Sequence, residues 1–223
     1  THGLNLAIHS LVKPGATVAI TGFEHNAVLR PLVARNCRLQ IGGRKLFDWE
    51  DTLESFEKAL RGADAAVFTH VSNVFGYILP VAELARLCRW YGVPFVLDAA
   101  QSAGALPVSL KDLGADFIAM PGHKGLLGPM GTGLLLCAST PKPLLAGGTG
   151  SNSREAAMPE YLPDIAEPGT MNVPGFAGLA EGLRYINRVG ETAIFRREHG
   201  QLQRCVRWLE IMGFRVFAGP HQA

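Results

Sequence analysis

The feature that most constrains the fold is an alternation of short apolar runs with longer stretches of helical periodicity. The apolar runs are ATVAI, RLQI, AAVFTH, PFVLDA, DFIAM and TGLLLC, and the helical patterns include NAVLRPLVARN, WEDTLESFEKAL and VAELARLCRWYG. Such an alternation is typical of βα units around a mostly parallel sheet. Strands this continuously apolar are usually covered on both faces. The sequence therefore predicts an α/β fold, a three-layer α/β/α sandwich with a mostly parallel sheet.

The second half of the chain predicts a different organisation. Residues 147–169 carry glycine, serine and proline without periodicity, and a segment of this length indicates a functional or interfacial loop. Two long helices are predicted next, over 173–188 and 191–212, and the final GFRVFAGPHQA is typical of a strand that begins. We expect a large domain over residues 1–188, followed over 189–223 by a connecting helix and the start of a truncated C-terminal small domain.

Composition limits the partners and the compartment. The formal net charge is +2, from 21 basic and 19 acidic residues that are interspersed, and no run of Lys or Arg could follow a phosphate backbone. We therefore expect no nucleic acid partner. We also expect no membrane span, since no apolar segment is long enough to cross a bilayer, and we place the protein in the cytoplasm. The four cysteines are far apart without a C-x-x-C pair, so neither a metal site nor a disulfide framework is predicted.

Polar side chains follow three of the predicted strands. They are His70, Ser72 and Asn73 after AVFT, Asp98 and Gln101 in PFVLDAAQ, and His123 and Lys124 after DFIAMPG. In an open parallel sheet, ligands bind outside the carboxyl ends of the strands. An Asp that closes a strand is by itself more often a turn former. A strand-end Asp followed one βα step later by a strand-end Lys suits a more particular ligand.

That ligand is pyridoxal phosphate. Its aldehyde needs an amine, its pyridine nitrogen needs a carboxylate to remain protonated, and its phosphate needs amides and hydroxyls. Lys124 lies among glycines with almost no other charge nearby, and a water-poor setting favours the neutral, reactive amine. Lys124 is therefore the predicted Schiff-base residue, with Asp98 as the carboxylate.

At this point the sequence resembles a known family, the class V aminotransferase and cysteine desulfurase group of fold-type I pyridoxal phosphate enzymes. The matching motifs occur in the family's order and cover most of the chain. They are THGLN, EHNAVLRP, THVSNVFGYILPV, LDAAQSAG, GHKGLLGPMGTG and EPGTMNVPG. The GGTGS run at Gly147 further resembles a branch described as desulfurase-like or selenocysteine lyase-like.

The resemblance implies a role for each matching position. Lys124 would hold the cofactor and move protons at the substrate α-carbon, and Asp98 would pair with the pyridinium nitrogen. Gln101 would donate to the phenolic oxygen, Asn73 would lie near it, and His25 would stack on the ring. These five residues would form the ring-binding part of the site.

The resemblance also implies how the phosphate is held. His123 and Thr1 would bind it, together with the amides of the helix that Thr1 opens. Thr170 would reach the phosphate of a neighbouring subunit, which implies a homodimer. Pro121 stands where many desulfurases have a serine hydroxyl, and its side chain donates nothing, so phosphate binding is expected either to be weaker or to depend more on Thr170.

The leading functional hypothesis is an enzyme that removes sulfur or selenium from cysteine or selenocysteine to give alanine, with a possible sulfur-acceptor protein as partner. The persulfide-forming cysteine and the arginine that binds the substrate carboxylate are expected beyond Ala223. Two alternatives stay open at this point. One is a class V aminotransferase that uses the same Lys124 and Asp98, and the other is a catalytically silent cofactor-binding or dimerisation domain.

Overall fold

A computed structural model describes residues 1–223 and contains seven helices and six strands. The helices are α1 His2–Leu11, α2 Asn26–Ala34, α3 Trp49–Leu60, α4 Val81–Tyr91, α5 Leu110–Leu113, α6 Val173–Val189 and α7 Glu191–Ile211. The strands are β1 Thr17–Thr21, β2 Arg38–Gly42, β3 Ala65–Thr69, β4 Phe95–Asp98, β5 Phe117–Pro121 and β6 Gly133–Cys137. Each of the six apolar runs named at the start of the sequence analysis forms a strand.

The six strands form one sheet in the order β2-β1-β3-β4-β5-β6. The first five strands are parallel, and β6 returns antiparallel to β5 after the segment that carries Lys124. The prediction of an α/β fold with a mostly parallel sheet is confirmed. From β1 the chain moves outward to β2 and then back to β3 on the other side, so the strand order reverses between β1 and β3. In such folds this reversal marks the ligand-binding crevice.

Alternate residues of the strands face opposite layers, as the pleat requires. One face packs on α1 and α2, and its core includes Leu4, Ile8, Val28 and Leu32 from the helices and Val18, Ile20, Val67, Val96 and Phe117 from the strands. The other face packs mainly on α3 and α4, with Phe56, Leu60, Leu84 and Cys88 against Ala19, Phe68, Phe95, Leu97 and Ile118. Because both faces are covered, the central strands β1, β3 and β4 are buried along their whole length.

Two aspartates fix the starts of neighbouring strands by the same arrangement. The Asp64 backbone N–H donates to Thr17 O (2.8 Å), and Asp64 Oδ2 accepts from Thr17 N–H (2.8 Å). Asp116 repeats this with Phe95, at 3.1 Å and 3.0 Å. Each pair satisfies backbone groups where the ladder begins, which holds the strands in register and aligns their carboxyl ends.

Two features differ from the expectations. The sequence patterns did not indicate the short helix α5, whose start is capped by Ser109. The predicted C-terminal strand is wrong, because residues 214–219 have no regular structure and Gln222 forms only a single bridge with Tyr77. His221 beside it stacks on Trp49, with 3.6 Å between ring centroids. None of the helices combines the length and apolar character that crossing a bilayer requires.

Candidate active site

The carboxyl ends of β1, β3, β4 and β5 lie along one edge of the sheet and carry most of the residues predicted from sequence. β1 leads into His25, β3 into Asn73, β4 into Asp98 and Gln101, and β5 into His123 and Lys124. Parallel pairing with aligned register brings these strand ends together, with Thr69 opposite Asp98 and Asp98 opposite Ala119. The architecture therefore gathers the predicted residues at the edge where a ligand is expected.

Asp98 is the buried acid of this edge, with only 3% of its surface exposed. Its Oδ1 atom accepts from the Ala100 backbone N–H (2.9 Å), and the backbone oxygen of Asp98 accepts from His70 N–H (2.9 Å). Burial raises the pKa of Asp98, while the hydrogen bond from Ala100 and the positive charges of Lys124 and His25 lower it. The charge of Lys124 therefore reaches the Asp98 carboxyl, while the roles of both residues in cofactor binding stay predictions.

Lys124 lies in the connection between β5 and β6, and its Nζ atom forms none of the chain's ion pairs. Gly122 N–H donates to Thr132 O (2.8 Å) and Gly128 N–H donates to Gly122 O (2.7 Å), so the connection is closed by its own backbone. A Cβ on Gly122 would lie 2.0 Å from Thr132 Oγ1. The amine is therefore carried on a tightly folded loop.

Helix α6 packs against the same loop. A Cβ on Gly182 would meet the backbone oxygen of Leu126 at 2.4 Å, and a Cβ on Gly128 would meet Leu179 Cδ1 at 2.7 Å. Leu126 is itself buried in the core, and Leu179 belongs to the same cluster. The loop that carries Lys124 is therefore held by two contacts, with the hydrophobic core through Leu126 and with α6 through Leu179 and Gly182.

His25 and Thr1 lie at helix starts. His25 Nδ1 accepts from Ala27 N–H (3.0 Å) and caps α2, so the ring has a fixed orientation with Nε2 left free. Thr1 stands at the N-cap of α1 but makes no side-chain cap hydrogen bond, so its hydroxyl and the first-turn amides are available. Free amides at a helix start favour an anion. The cap also gives His25 a structural role that sequence reasoning had not assigned.

The other predicted residues are exposed side chains whose roles stay predictions. Gln101, Asn73 and His123 lie on the turns that follow β4, β3 and β5. Thr170 lies two residues before Asn172, which caps α6, and no hydrogen bond joins it to the rest of the site. Ser72, which also followed β3 in the sequence, is buried, and its Oγ accepts from the amides of Val74 and Phe75. Ser72 thus stabilises the turn after β3.

The residues present fit the cofactor that the sequence predicts. The edge offers an amine without a partner, a buried carboxyl with one oxygen committed to the backbone, and unsatisfied amides at the start of α1. These are the three groups that the aldehyde, the pyridine nitrogen and the phosphate of pyridoxal phosphate require. Two cavities of about 290 and 340 Å³ lie elsewhere, against α7 and within 146–159, and neither is lined by Asp98 or Lys124.

Sequence reasoning did not assign a role to Glu24, which the structure places among these strand ends. Its Oε1 atom accepts from Thr21 Oγ1 (2.5 Å) and from Thr69 N–H (3.1 Å), so the carboxyl bridges β1 and β3. Oε2 is buried and has no hydrogen-bond partner. The signal in the sequence was a lone acidic residue just after an apolar strand, in the motif EHNAVLRP. In that motif only the adjacent His25 had a role predicted from the sequence.

A doubly wound α/β sheet whose carboxyl edge carries an unpartnered lysine and, on the neighbouring strand, a buried aspartate defines the class of protein. The whole chain, residues 1–223, matches the family Aminotransferase class-V, and the protein belongs to that family. Family members use pyridoxal phosphate.

Individual relatives agree with this assignment. The chain is 34% identical over 217 residues to a probable cysteine desulfurase of Pyrococcus abyssi, an alignment that covers 92% of this chain and 53% of that protein. It is 42% identical over 138 residues to a probable cysteine desulfurase of Methanothermobacter thermautotrophicus, covering 59% of this chain and 34% of the relative. The apo structure of cysteine desulfurase from Thermococcus onnurineus NA1 superposes with a TM-score of 0.89 at 34% identity, over 99% of this chain and 59% of that one. The chain spans about half the length of the curated relatives it matches.

Proposed function

We propose that this chain is the cofactor-binding part of a pyridoxal phosphate-dependent cysteine desulfurase or selenocysteine lyase-like enzyme. It would act on a small, cysteine-like amino acid and yield alanine. The observation that supports the proposal is that the buried Asp98 carboxyl and the Lys124 amine both follow neighbouring strands at the carboxyl edge of the sheet, where the charge of Lys124 lowers the pKa of Asp98. The desulfurase relatives favour this chemistry over others that use the same fold.

Pyridoxal phosphate, when bound, supplies an aldehyde for an amine and a protonated ring that stores an electron pair. Lys124 would hold it and would move a proton at the substrate α-carbon, and the tightly folded loop that carries Lys124 would fix the position of the amine. Asp98 would keep the proton on the pyridine nitrogen, because a buried carboxylate stabilises a cation beside it. The Gln101 side-chain amide would donate to the phenolic oxygen of the cofactor, and Asn73 would lie near that oxygen. His25 would stack on the cofactor ring, with its own ring held in place by its cap on α2.

The phosphate is assigned to Thr1, His123 and the first turn of α1, with Thr170 reaching a neighbouring subunit in a homodimer. Desulfuration also needs a thiolate that attacks the substrate sulfur. An S–S bond forms as the Cβ–S bond breaks, and the electron pair left on carbon is protonated to give alanine, with the thiolate becoming a persulfide. We assign that thiolate, and the arginine for the substrate carboxylate, to residues beyond Ala223, and the sulfur to an acceptor protein.

The domain division is part of the proposal. Helix α7 has no buried residue along its length, whereas α6 buries Gly175, Leu179, Gly182 and Ile186. This contrast supports a large domain over residues 1–188 and a second unit that starts within 189–223. The cytoplasm stays the predicted compartment.

A second candidate is transamination, which the family description itself favours. It would use the same Lys124 and Asp98 but return the amino group to a keto acid. A catalytically silent cofactor-binding domain is the third reading, since the chain spans about half of its relatives. Release of sulfide and alanine from cysteine would support the desulfurase, keto-acid-dependent amino transfer without sulfide would support the second reading, and cofactor binding without turnover the third.

The central assignment is tested by absorption spectroscopy of the protein mixed with pyridoxal phosphate. We expect a band of lysine-bound cofactor in the wild type, and loss of that band in Lys124→Ala. Lys111→Ala is the matched control, because Lys111 is an exposed lysine on the short helix α5. If Lys124→Ala keeps the wild-type band, the assignment is wrong.

A further inference from the structure

Glu24 occupies the point where β1 and β3 separate. After Thr21 the chain turns toward β2, and Gly22 N–H donates to Gly43 O (3.1 Å). The backbone N–H of Thr69, at the end of β3, therefore has no strand partner on the β1 side. Glu24 Oε1 accepts this N–H at 3.1 Å and so replaces the missing carbonyl.

The two carboxyl oxygens of Glu24 have different surroundings. Oε1 accepts three hydrogen bonds, from Thr21 N–H (3.3 Å), Thr21 Oγ1 (2.5 Å) and Thr69 N–H (3.1 Å). Oε2 is buried and has none. The four ion pairs of the chain all lie elsewhere, so no basic side chain compensates a charge on Glu24. Oε1 is thus the accepting oxygen, and a buried Oε2 without a partner is less costly as part of a neutral carboxylic acid than as part of a carboxylate.

The charged groups around Glu24 lead to the same conclusion. Burial raises the pKa of Glu24 to about 8, the negative charge of Asp98 adds to the increase, and the bonds from Thr21 and Thr69 oppose it. His70, at the end of β3, supplies no positive charge, because its own burial lowers its pKa to about 4. Lys124 and His25 instead act on Asp98, whose pKa they lower. Of two neighbouring carboxyls, the one without cations keeps the proton.

We propose that Glu24 is a positioning residue of this site, which stays a neutral carboxylic acid, ties β1 to β3 through Oε1 and leaves Asp98 as the single anion at the cofactor edge. The part that concerns the cofactor rests on the proposed function. Two carboxylates at this edge would compete for the same cations, and the proton on Glu24 prevents that competition.

The first test uses the protein without cofactor and compares wild type with Glu24→Gln, which keeps an acceptor at Oε1 and a donor at the other position. A neutral Glu24 keeps its proton on folding up to about pH 8, whereas the unfolded chain releases it above its ordinary pKa of 4.5. The wild type therefore loses stability relative to Glu24→Gln as pH rises between these values. We expect the ratio of their unfolding equilibrium constants to change up to about tenfold per pH unit in that window. A ratio independent of pH overturns the proposal.

Two further variants serve as a control and as an independent test of this measurement. Glu83→Gln changes a partly exposed glutamate on α4 that pairs with Arg86, and its ratio to the wild type is expected to stay flat. Thr21→Val removes the short hydrogen bond to Oε1, which favours the ionised form, so it should extend the pH-sensitive range of the wild-type carboxyl above pH 8. Thr21→Val keeps Glu24 and so tests the proton even where Glu24→Gln fails to fold. A range that moves below pH 8 contradicts the proposal.

The second test follows the absorption of bound pyridoxal phosphate with pH. Ionisation of Glu24 places a second negative charge beside Asp98, so we expect a spectral step near pH 8 in the wild type and none in Glu24→Gln. Identical titrations in both proteins overturn the link between Glu24 and the site. A wild type that binds no cofactor overturns the proposed function, while the unfolding ratio still decides whether Glu24 holds its proton.

Discussion

Gly104 and Gly125 lie in backbone contact, and that contact connects the turn that carries Gln101 to the loop that carries Lys124. A Cβ on Gly104 would lie 2.1 Å from the backbone oxygen of Gly125, and a Cβ on Gly125 would lie 2.3 Å from the backbone oxygen of Ala103. Neither distance leaves room for a side chain. The relative position of two predicted cofactor-binding residues is therefore set by a contact between two glycines.

Gly104→Ala should displace the Lys124 loop. The new methyl group would clash with backbone, which cannot rotate away as a flexible side chain does, and Gly104 also has φ +93°, which strains any other residue. We expect a loss of unfolding free energy of about 1–3 kcal/mol or more, together with weaker cofactor binding. Urea denaturation and absorption titration with pyridoxal phosphate measure the two effects.

Gly62→Ala is the matched control for that change. Gly62 has φ +75° but nothing within 4 Å of an added Cβ. The variant should therefore lose only the unfolding free energy that backbone strain costs, about 1–2 kcal/mol. Cofactor binding should stay at the wild-type level in this variant. Equal losses of stability and equal affinities in both variants would contradict a positioning role for the contact between Gly104 and Gly125.

His70 is expected to make the protein sensitive to acid. Burial lowers its pKa to about 4 from an ordinary 6.5, and its Nδ1 atom has no hydrogen-bond partner. The unfolded chain therefore binds a proton between pH 6.5 and 4 that the folded protein does not, so stability falls as pH falls through this range. The loss from this one group reaches up to about 3 kcal/mol.

Urea denaturation at several pH values checks this expectation. His70→Gln, which removes the titrating ring, should flatten the profile between pH 6.5 and 4. His2→Gln, an exposed histidine at the start of α1, should leave it unchanged. A His70→Gln profile as steep as that of the wild type would show that the acid sensitivity arises elsewhere.

The strands could be predicted because each is a buried apolar run. β1 and β3 have every residue buried, so their sequences differ sharply from the polar helices and turns between them. The C-terminal GFRVFAGPHQA has a similar composition but forms no strand, since a strand needs a neighbouring ladder and only Tyr77 offers one bridge. Composition signals the capacity for a strand, whereas pairing decides whether one forms.

The candidate site divides in the same way. Asp98 and Lys124 could be predicted because residue type and strand-end position together indicate a chemical need. Glu24 could not, since its burial and its bond to Thr69 depend on the separation of β1 from β3, which involves residues 45 positions apart. The contact between Gly104 and Gly125 is equally invisible, because a glycine in a sequence does not show which backbone lies against it.

Asp98→Asn separates a role in cofactor binding from a role in folding. Asparagine keeps an oxygen that can accept the Ala100 N–H but carries no charge. Because burial raises the pKa of Asp98, the ionised carboxylate weakens the folded state as pH rises above its ordinary value, and the neutral amide relieves that cost. We therefore expect the variant without cofactor to be at least as stable as the wild type near pH 7.

The affinity of Asp98→Asn for pyridoxal phosphate should fall about tenfold or more, the usual effect of losing a charged hydrogen-bond partner. Asp112→Asn, at an exposed position on α5, is the control for both measurements. A variant that loses stability but keeps its affinity would assign Asp98 to the fold and remove it from the site.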